Sequence, residues 1–241
     1  MPWYHAVVER DHELQNPTSE AKIVLLGERL RLSPVSRVLD MACGKAGPAV
    51  LLAERFGCSV VGVERSPEFA AAARERVAAA GLEERVEIVE GDAAAFPVEP
   101  ESYDVALCLG ATFVWDGLEG TLAALAPVVR PGGHVAAGEP YWRSWPVPEG
   151  EDDLGYLTLS ETSARVAAAG LSLVTLIAAS EDDWDSYESL HWRAAEEWLE
   201  AHPDDPDAGL IRERHEHYRA NYLDFQREWL GWAIFVARKP S

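Results

Sequence analysis

Short apolar segments alternate with longer amphipathic segments along the first part of the chain. Five of the short segments have the length and apolar content of buried strands, at residues 37–40, 59–64, 86–90, 103–109 and 134–139. The segments between them predict helices, at residues 48–56, 67–80 and 117–129. Because connections of this kind are too long for hairpins, the pattern predicts a parallel sheet with helices on both faces.

Further elements flank this alternating region. A helix capped by Thr18 or Ser19 is expected to run to about Leu32, because Pro34 then stops it. The later segments predict a helix, a sixth strand, a polar helical stretch and a last strand, at residues 159–169, 171–178, 181–228 and 230–237. A hairpin would suffice to join the last two strands, so the long polar stretch between them predicts a two-helix lid, broken at residues 202–206.

Composition and charge limit the classes of binding partner that this chain is expected to have. A net charge of −20 and a pI near 4.7 argue against a nucleic-acid backbone or an anionic membrane. No segment approaches the ~20 continuous apolar residues of a membrane span, and the N-terminus does not resemble a signal peptide. Cys43, Cys58 and Cys108 lack metal-site spacing and are expected to be free thiols. The acidic pairs 152–153 and 182–183 are expected to be solvated or capping, so a cytoplasmic protein without a metal is predicted.

The loop after the first strand has the composition of a ligand-binding loop. Ligands of open parallel sheets bind beyond the carboxyl ends of the strands. Residues 42–47, Ala-Cys-Gly-Lys-Ala-Gly, are mostly small, which lets backbone N–H groups approach a ligand at the start of the next helix. The loop also fits a degenerate A-x-G-x-x-G pattern, so a dinucleotide is a second candidate ligand. By itself, such a loop can also be a plain strand–helix turn.

Acidic residues follow the next two strands. Glu64, at the end of the second strand, is placed to accept hydrogen bonds from both ribose hydroxyls. Asp92, after the third strand, can accept one from the exocyclic amine of adenine, and its small neighbours leave room for a flat ring. Each acid alone could be a solvated residue. Their placement on successive strand ends, together with the small-residue loop, favours a nucleoside-containing ligand.

These segments resemble the motifs of a known enzyme family. Residues 38–44, Val-Leu-Asp-Met-Ala-Cys-Gly, resemble the first motif of class I S-adenosylmethionine-dependent methyltransferases, D-x-G-x-G-x-G. Glu64 matches the ribose acid of this family, residues 91–93 match its adenine motif, and residues 130–133 match its turn before strand five. Asp40 separates the pattern from dinucleotide dehydrogenases, which usually lack an acid two residues before the loop.

The chain departs from the family motif at two positions. Ala42 and Ala46 replace two of the three motif glycines, and a methyl group is tolerable there only if the backbone angle φ is negative. The resemblance covers about residues 35–180 and the final strand. Residues 13–19 and 138–142 also resemble a bacterial subgroup of small-molecule methyltransferases.

The resemblance implies a fold and a domain plan. It implies a seven-stranded, mostly parallel Rossmann-like sheet with helices on both faces and an antiparallel last strand, here with a helical lid between strands six and seven. A single methyltransferase domain, residues 1–241, is expected. Its parts are an N-terminal cap segment and helix, a cofactor-binding core, the lid and the last strand, at residues 1–33, 34–180, 181–229 and 230–241.

The resemblance also implies the cofactor, S-adenosyl-L-methionine, and the residues around it. Leu109 and Gly110, after strand four, would lie beside the sulfonium methyl group. Cys43 would contribute its backbone and not its thiol. The predicted cofactor contacts are Asp40, Ala42, Cys43, Gly44, Glu64, Arg65, Asp92, Ala93, Leu109 and Gly110.

The methyl acceptor is less well defined by the sequence. Enzymes that methylate DNA bases or glutamine carry an (Asn/Asp)-Pro-Pro-(Tyr/Phe) motif after strand four, where this chain reads Leu-Gly-Ala-Thr-Phe. Together with the acidic charge, this favours a small-molecule acceptor, and aromatic walls would suit an apolar or cationic one. Trp192 and Trp198 are expected to pack the lid onto the body. The predicted acceptor-pocket residues are Tyr4, Thr112, Trp115, Tyr141 and Trp142.

The predicted activity is methyl transfer to a small molecule by direct in-line displacement, giving S-adenosylhomocysteine. A general base is needed only if the nucleophile arrives protonated. The candidates for that base are His5, His12, Glu139 and His191. Two alternatives remain from the sequence, an NAD(P)-dependent oxidoreductase on the degenerate loop and a non-catalytic S-adenosylmethionine-binding protein. The sequence does not indicate the oligomeric state.

Overall fold

Strands and helices alternate along the chain as the apolar pattern predicts. The computed structural model describes residues 2–148 and 155–241, so the acidic pair Asp152 and Asp153 lies outside the described residues. The first half contains α1 (Pro2–Val8), α2 (Glu20–Arg29), β1 (Arg37–Met41), α3 (Gly47–Phe56), β2 (Ser59–Glu64), α4 (Pro67–Ala79), β3 (Val86–Glu90) and β4 (Tyr103–Leu109). After a 3₁₀ turn (Thr112–Trp115) come α5 (Leu118–Leu125), β5 (Val129–Trp142), β6 (Leu157–Thr158), α6 (Leu159–Ala168), β7 (Ser172–Ala178), α7 (Glu181–Ala201), α8 (Ala208–Asn221), a π-helical turn (Tyr222–Gln226), α9 (Arg227–Trp229) and β8 (Leu230–Arg238).

The strands form one mixed sheet in the order β3-β2-β1-β4-β5-β8-β7. β8 lies antiparallel between β5 and β7, and the other neighbours along this order pair in parallel. The predicted Rossmann-like sheet with an antiparallel last strand is therefore confirmed. The two-residue strand β6 was not predicted and pairs in parallel with Tyr141 and Trp142 at the end of β5.

Apolar residues of the central strands are buried on both faces of the sheet. Val38 of β1 packs in a cluster that includes Ile23 of α2, whereas the adjacent Leu39 packs in another that includes Leu122 of α5. Successive side chains of a strand point to opposite faces, so a strand covered on both faces is apolar at every position. Each fully buried aliphatic side chain contributes about 1.5–3 kcal/mol.

The helix-start signals in the sequence correspond to observed caps. The Ser66 hydroxyl accepts a hydrogen bond from the backbone N–H of Phe69, and Pro67 is the first residue of α4. Ser180 and Asp183 form a reciprocal capping box at the start of α7. These caps place the loops after β2 and β7 at fixed positions on one sheet edge.

The segment before the fifth strand differs from the prediction. α5 ends at Leu125, and β5 begins at Val129, before the expected turn at residues 130–133. The register of β4 and β5 shifts between the pairs Tyr103–Val129 and Val105–His134, so the glycine segment is an irregularity within the strand. It remains in the sheet because the C-terminal segment pairs with it, and Gly132 donates to the carbonyl of Lys239 over 3.1 Å.

Helices α7 and α8 occupy the predicted lid between β7 and β8. They are separated at residues 202–207, where the chain contains Pro203 and Pro206. α1 packs against this lid, with Tyr4 and Val8 in a cluster with Leu199 and Ile211. Within the described residues, no helix combines the length and the apolar character that a membrane crossing requires.

Candidate functional site

The loop between β1 and α3 is held in a left-handed conformation. Its φ angles are 56° at Ala42, 56° at Gly44 and 59° at Ala46. Neither alanine meets the condition of negative φ under which a methyl group is tolerable, and each such residue costs roughly 1–2 kcal/mol of strain. Backbone bonds of 3.0 Å, from Cys43 N–H to the Val63 carbonyl and from Ala46 N–H to the Cys43 carbonyl, keep the loop in this shape. Strain of this kind is typical of functional loops.

Glu64 connects this loop to the loop after β2. Its carboxylate accepts hydrogen bonds from the backbone N–H groups of Gly44, over 2.9 Å, and of Ser66, over 2.7 Å. Only 8% of Glu64 is exposed. The two backbone donors fix the orientation of the carboxylate, and its remaining lone pairs are available to hydroxyl groups of a ligand.

Asp40 lies buried beneath the same loop. It is 2% exposed, and within the described part of the chain its Oδ2 atom has no hydrogen-bond partner. Burial, with a contribution from the negative charge of Glu64, raises the pKa of Asp40 to about 7. A buried carboxylate without a partner is unfavourable, so a cationic ligand group near Asp40 would offset this cost.

The loops after β3 and β4 complete the strand-end edge. Asp92 Oδ1 accepts a hydrogen bond from the N–H of Ala94 over 3.0 Å, and the N–H of Gly91 donates to the carbonyl of Glu64 over 2.9 Å. After β4, the N–H of Gly110 donates to the carbonyl of Gly138 over 3.0 Å. Four successive strand ends thus present their loops to one volume.

The segment between α1 and α2 crosses these loops. The side chain of Gln15 accepts a hydrogen bond from the N–H of Lys45 over 2.8 Å, and Asn16 Nδ2 donates to the Leu109 carbonyl over 2.9 Å. A Cβ atom at Gly44 would overlap the Gln15 side chain, and one at Gly110 would overlap Asn16. Both glycines also have positive φ, 56° and 85°, so a side chain at either position would strain the backbone and displace the side chain above it.

The side chain of Lys45 also holds the segment between α1 and α2. Its ammonium group donates to the carbonyls of Glu9, Arg10 and His12, the latter two over 3.0 and 3.1 Å. An ammonium group has three N–H donors and no acceptor, so Lys45 is fully satisfied by the N-terminal segment. No sequence pattern predicted these contacts of Gln15, Asn16 and Lys45.

A cavity of about 910 Å³ lies between the strand-end loops, the N-terminal segment and the lid. Its walls contain every residue that the sequence predicts to contact the cofactor. These are Asp40, Ala42, Cys43, Gly44, Glu64, Arg65, Asp92, Ala93, Leu109 and Gly110. Burial raises the pKa of the Cys43 thiol well above its usual range, so the thiol is uncharged and only the backbone of this residue offers polar contacts.

None of the five predicted acceptor residues is among the residues that line the cavity. Two of them were expected in a loop, but β5 continues to Trp142, so both pack inside the protein. Tyr141 packs edge-on against Phe235, with ring centroids 6.4 Å apart. Trp142 is 2% exposed and packs against Tyr156 and Phe225. The packing around β5 therefore gives no support to the assignment of Tyr141 and Trp142 to the acceptor pocket.

The other three predicted acceptor residues have structural contacts of their own. Tyr4 is buried in the interface of α1 with the lid. The Thr112 hydroxyl donates to the Glu139 carboxylate, which is thereby held away from the cavity lining. Trp115 packs against the cluster that contains Leu122 of α5. Proximity in sequence to a strand end did not place these side chains at the site.

The part of the cavity wall formed by α1, the adjacent Glu9, the 3₁₀ turn and α7 contains residues that the sequence did not predict for this site, with one exception. The exception is His5, which was a candidate base and lines the cavity. Burial lowers its pKa, and the nearby Glu9 carboxylate only partly opposes this effect. The wall on this side consists of His5, Ala6, Glu9, Phe113, Val114 and Tyr187. Phe113 is 72% exposed although it borders the cavity.

The tryptophans of the lid pack the helices together. Trp184 stacks on Tyr222 with ring centroids 6.1 Å apart, and Trp192 meets the same ring edge-on at 5.9 Å. Trp198 packs against the cluster of Tyr4 and Leu199. Trp192 and Trp198 thus pack the lid against the rest of the protein, as expected.

Two further base candidates, His12 and His191, lie in a buried cluster behind the cavity wall. His191 Nε2 is 3.0 Å from Glu9 Oε1, and the Tyr187 hydroxyl donates to the same oxygen over 3.1 Å. Burial opposes the charge of His191, but hydrogen bonds and charges from Glu188 and Glu9 outweigh it and raise its pKa to about 9. Burial lowers the pKa of His12, against the attraction of Glu9.

The donor set of the cavity fits S-adenosylmethionine. Carboxylates at three strand ends suit a ligand with several hydroxyl and amine donors, and the partnerless Asp40 oxygen suits a cationic amino group. Small residues at positions 42–44 allow close approach to the backbone. Ligand cavities usually occupy ~300–1,000 Å³, so this one is large enough for a nucleoside-containing ligand together with a small second molecule.

Comparisons with known proteins agree with S-adenosylmethionine as the ligand of this cavity. The family described as "Methyltransferase domain" matches residues 38–133. Protein YjhP of Escherichia coli K12, whose function is uncharacterised, is 34% identical over 98% of each chain. The trans-aconitate 2-methyltransferase of Paracidovorax citrulli is 30% identical, over 68% of this chain and 56% of its own length.

A solved structure gives the same fold over the whole length. It is a SAM-dependent methyltransferase of Geobacter sulfurreducens in complex with S-adenosyl-L-homocysteine, 34% identical, with a TM-score of 0.93 over 100% of this chain and 99% of that one. This similarity decides between the two cofactors considered from the sequence, in favour of S-adenosylmethionine and against NAD(P). The chain therefore belongs to the class I S-adenosylmethionine-dependent methyltransferases.

Proposed function

We propose that this methyltransferase acts on a small-molecule acceptor, by direct in-line displacement. The observation that carries the proposal is the composition of the cavity walls. The same cavity is lined by the predicted cofactor residues on one side and by residues of α1, the 3₁₀ turn and the lid on the other. A protein or nucleic-acid acceptor would have to displace these covering segments, and the net charge of −20 would repel a nucleic acid.

The strand-end residues are assigned to the cofactor as follows. Glu64 accepts hydrogen bonds from the ribose hydroxyls, since backbone N–H groups already orient its carboxylate. Asp92 accepts from the adenine amine, and Asp40 faces the cationic amino group. The backbones of Cys43 and Gly44, with Leu109 and Gly110, form the wall next to the methionine part.

S-adenosylmethionine, when bound, supplies an electrophilic methyl group on a positively charged sulfur. The contribution of the chain is to hold an acceptor in line and to exclude water, which can account for much of the acceleration. Phe113 and Val114, which line the same cavity, offer an apolar surface for this purpose. Their position supports an acceptor with an apolar part.

His5 is the proposed proton acceptor for a nucleophile that arrives protonated. It lines the cavity, and its lowered pKa keeps the imidazole neutral, with a free lone pair, at neutral pH. Glu139 is held by Thr112, and it does not line the cavity. Similarity to a trans-aconitate 2-methyltransferase supports a small acceptor without indicating which one.

Calorimetric titration with S-adenosylhomocysteine tests the cofactor assignments. Glu64→Gln and Asp92→Asn are each expected to weaken binding about 10–100-fold, the equivalent of one hydrogen bond to a charged group, about 1.5–3 kcal/mol. Glu90→Gln is the matched control, because this carboxylate also ends a strand but does not line the cavity. Unchanged affinity for S-adenosylhomocysteine in both Glu64→Gln and Asp92→Asn would contradict the assignment of these two residues to the cofactor.

Turnover tests the small-molecule proposal. The purified protein is incubated with S-adenosylmethionine and a panel of small hydroxyl, amine and carboxylate acceptors, and release of S-adenosylhomocysteine is measured. Release that depends on an acceptor supports the proposal, and His5→Ala should lower kcat without changing the affinity for S-adenosylhomocysteine. Tight binding of S-adenosylhomocysteine with no release across the panel would favour a non-catalytic binding protein.

A further inference from the structure

A cluster of two histidines and a glutamate joins the N-terminal segment to the lid. Glu9 and His12 lie just after α1, and His191 lies in α7. One ligand atom from each of the three residues can be chosen so that all lie within 4.8 Å of one another. His12 is 1% and Glu9 8% exposed, whereas the side chain of His191 is 18% exposed, so two members of the cluster are buried and the third is partly buried.

The tautomer of His12 leaves a lone pair directed into this cluster. Its Nε2 atom lies 2.9 Å from the backbone carbonyl of Tyr187. A carbonyl only accepts hydrogen bonds, so Nε2 carries the proton and Nδ1 carries the lone pair of the neutral ring. Nδ1 is buried without a hydrogen-bond partner. This arrangement, in which one ring nitrogen donates to a carbonyl, is typical of metal-bound histidine.

The lone pair of His12 faces an equally partnerless carboxylate oxygen. Glu9 Oε2 lies 3.6 Å from His12 Nδ1, and neither atom has a hydrogen-bond partner among the residues that the structure describes. That separation is too long for an N–H···O hydrogen bond, which spans about 2.7–3.2 Å. Two buried acceptors that face each other are unfavourable unless a cation lies between them.

His191 differs from His12, because it lies between two carboxylates that favour its protonated form, so a metal ion would have to displace that proton. His191 Nε2 lies 3.0 Å from Glu9 Oε1, and its Nδ1 lies 3.6 Å from the Glu188 carboxylate. A carboxylate behind a histidine orients the ring and raises its basicity as a ligand. Both histidines therefore face the Glu9 carboxylate, with a hydrogen-bonded carbonyl behind His12 and the charge of Glu188 near His191.

We propose that Glu9, His12 and His191 form a binding site for a divalent transition metal, zinc(II). Two imidazole nitrogens and one carboxylate oxygen are a ligand set typical of zinc sites that keep an open fourth position. Tetrahedral ligands about 2.0–2.1 Å from zinc are ~3.4 Å apart, which the 3.6 Å between His12 Nδ1 and Glu9 Oε2 approaches. The sequence showed no metal-site spacing because His191 is far from Glu9 and His12 in the chain.

The site would connect the covering segments of the cavity. Glu9 and Tyr187 also line the cavity, so an open fourth position on zinc would be accessible to water or to an oxygen of a bound molecule. Two ligands come from the N-terminal segment and one from the lid. Metal binding would therefore hold the two covering segments together, independently of the cofactor loops.

Zinc titration of the full-length protein tests this proposal. After treatment with a chelator, the protein is titrated with zinc(II) in a calorimeter, and cobalt(II) is added in parallel to read ligand geometry from its visible absorption. One equivalent per chain and a raised melting temperature are expected. Removal of an outer-shell partner typically weakens metal binding about 10–100-fold, so Glu188→Gln should lie in that range and His12→Ala should exceed it.

His215→Ala is the matched control, because His215 is also buried and also contacts a carboxylate, that of Glu196, 3.1 Å away. It should bind zinc as the unchanged protein does. If His12→Ala does not fold, Glu9→Gln, which keeps the shape of the side chain, serves instead. Less than a stoichiometric amount of bound zinc in the unchanged protein, or undiminished binding in the Glu9 or His12 variant, would overturn the proposal. Binding of S-adenosylhomocysteine is measured separately and does not decide it.

Discussion

The side chain of Gln15 accepts a hydrogen bond from the backbone N–H of Lys45, and this 2.8 Å contact places the N-terminal segment on the cofactor loop. The Lys45 ammonium group holds the same segment by bonds to three of its carbonyls. The shape of the loop and the position of the segment are therefore coupled. A substitution in the loop should therefore alter the position of the N-terminal segment, which covers the cavity.

Gly44→Ala should weaken cofactor binding through Gln15. Gly44 has a φ of 56°, and its added Cβ would overlap the Gln15 side chain. Gly81→Ala is the matched control, because Gly81 has a φ of 66° but nothing lies within 4 Å of its added Cβ. Both variants should lose about 1–2 kcal/mol of stability from backbone strain, as measured by urea unfolding. Only Gly44→Ala should lose affinity for S-adenosylhomocysteine; equal affinities in the two variants would contradict the coupling.

Lys45→Met should release the N-terminal segment. The replacement keeps an apolar chain of similar length but leaves three backbone carbonyls without their donor. Limited proteolysis should then cut within residues 9–16 faster than in the unchanged protein. Lys239→Met serves as control, since Lys239 also bonds a carbonyl, that of Val129 over 2.8 Å, but outside the cavity lining. Faster cutting of the segment in both variants would indicate a general loss of stability.

Trp142→Ala should affect stability more than the acceptor side of the cavity. Trp142 is 2% exposed between Tyr156 and Phe225, so truncation should cost about 3–5 kcal/mol in the free energy of unfolding. Trp145→Ala is the comparison, because Trp145 is 61% exposed and its truncation should stay within about 0.5 kcal/mol. A stable Trp142→Ala protein that loses only acceptor binding would restore the sequence-based assignment.

The cofactor half of the cavity could be predicted because its positions follow from local patterns. The end of a buried strand can be located from the local sequence, because small residues or an acid follow the apolar run. Parallel strands bring such ends to one edge of the sheet. Asp40, Glu64 and Asp92 needed no knowledge of distant contacts, and all three line the cavity. The backbone angle at Ala42 and Ala46 could not be predicted in this way, because the fold imposes it against the preference of the residue.

The segments that cover the cavity could not be predicted because their contacts join distant parts of the chain. Asn16 bonds Leu109, 93 residues away, and His12 bonds Tyr187, 175 residues away. Tyr141 and Trp142 follow the expected strand end, but β5 runs on through them. No local pattern distinguishes a strand that stops at Glu139 from one that continues three residues further.

Stability of the cofactor-free protein should depend on pH through Asp40. The folded protein raises the pKa of Asp40 to about 7 from its usual 3.8, so it holds a proton that the unfolded chain releases. The stabilisation is fully present below the lower pKa and is lost as the pH rises through the higher one. Relative to Asp40→Asn, the unchanged protein should lose up to ~1.4 kcal/mol per pH unit in this interval, measured by urea unfolding. A constant difference between the two proteins would contradict the buried protonated carboxyl.

Binding of S-adenosylhomocysteine should release a proton from Asp40. The cationic amino group of the ligand, if it binds at this carboxylate as proposed, favours the charged form and lowers the pKa of Asp40. Affinity should therefore increase as the pH rises towards 7 and level off above it. Calorimetry at pH 6 in two buffers of different ionisation enthalpy counts the proton, and Asp40→Asn should release none. Glu139→Gln is the matched control, because burial also raises the pKa of Glu139 but this residue does not line the cavity. On binding the ligand, Glu139→Gln should release a proton as the unchanged protein does. If Glu139→Gln releases no proton and Asp40→Asn still does, the released proton comes from Glu139, and the prediction for Asp40 is wrong.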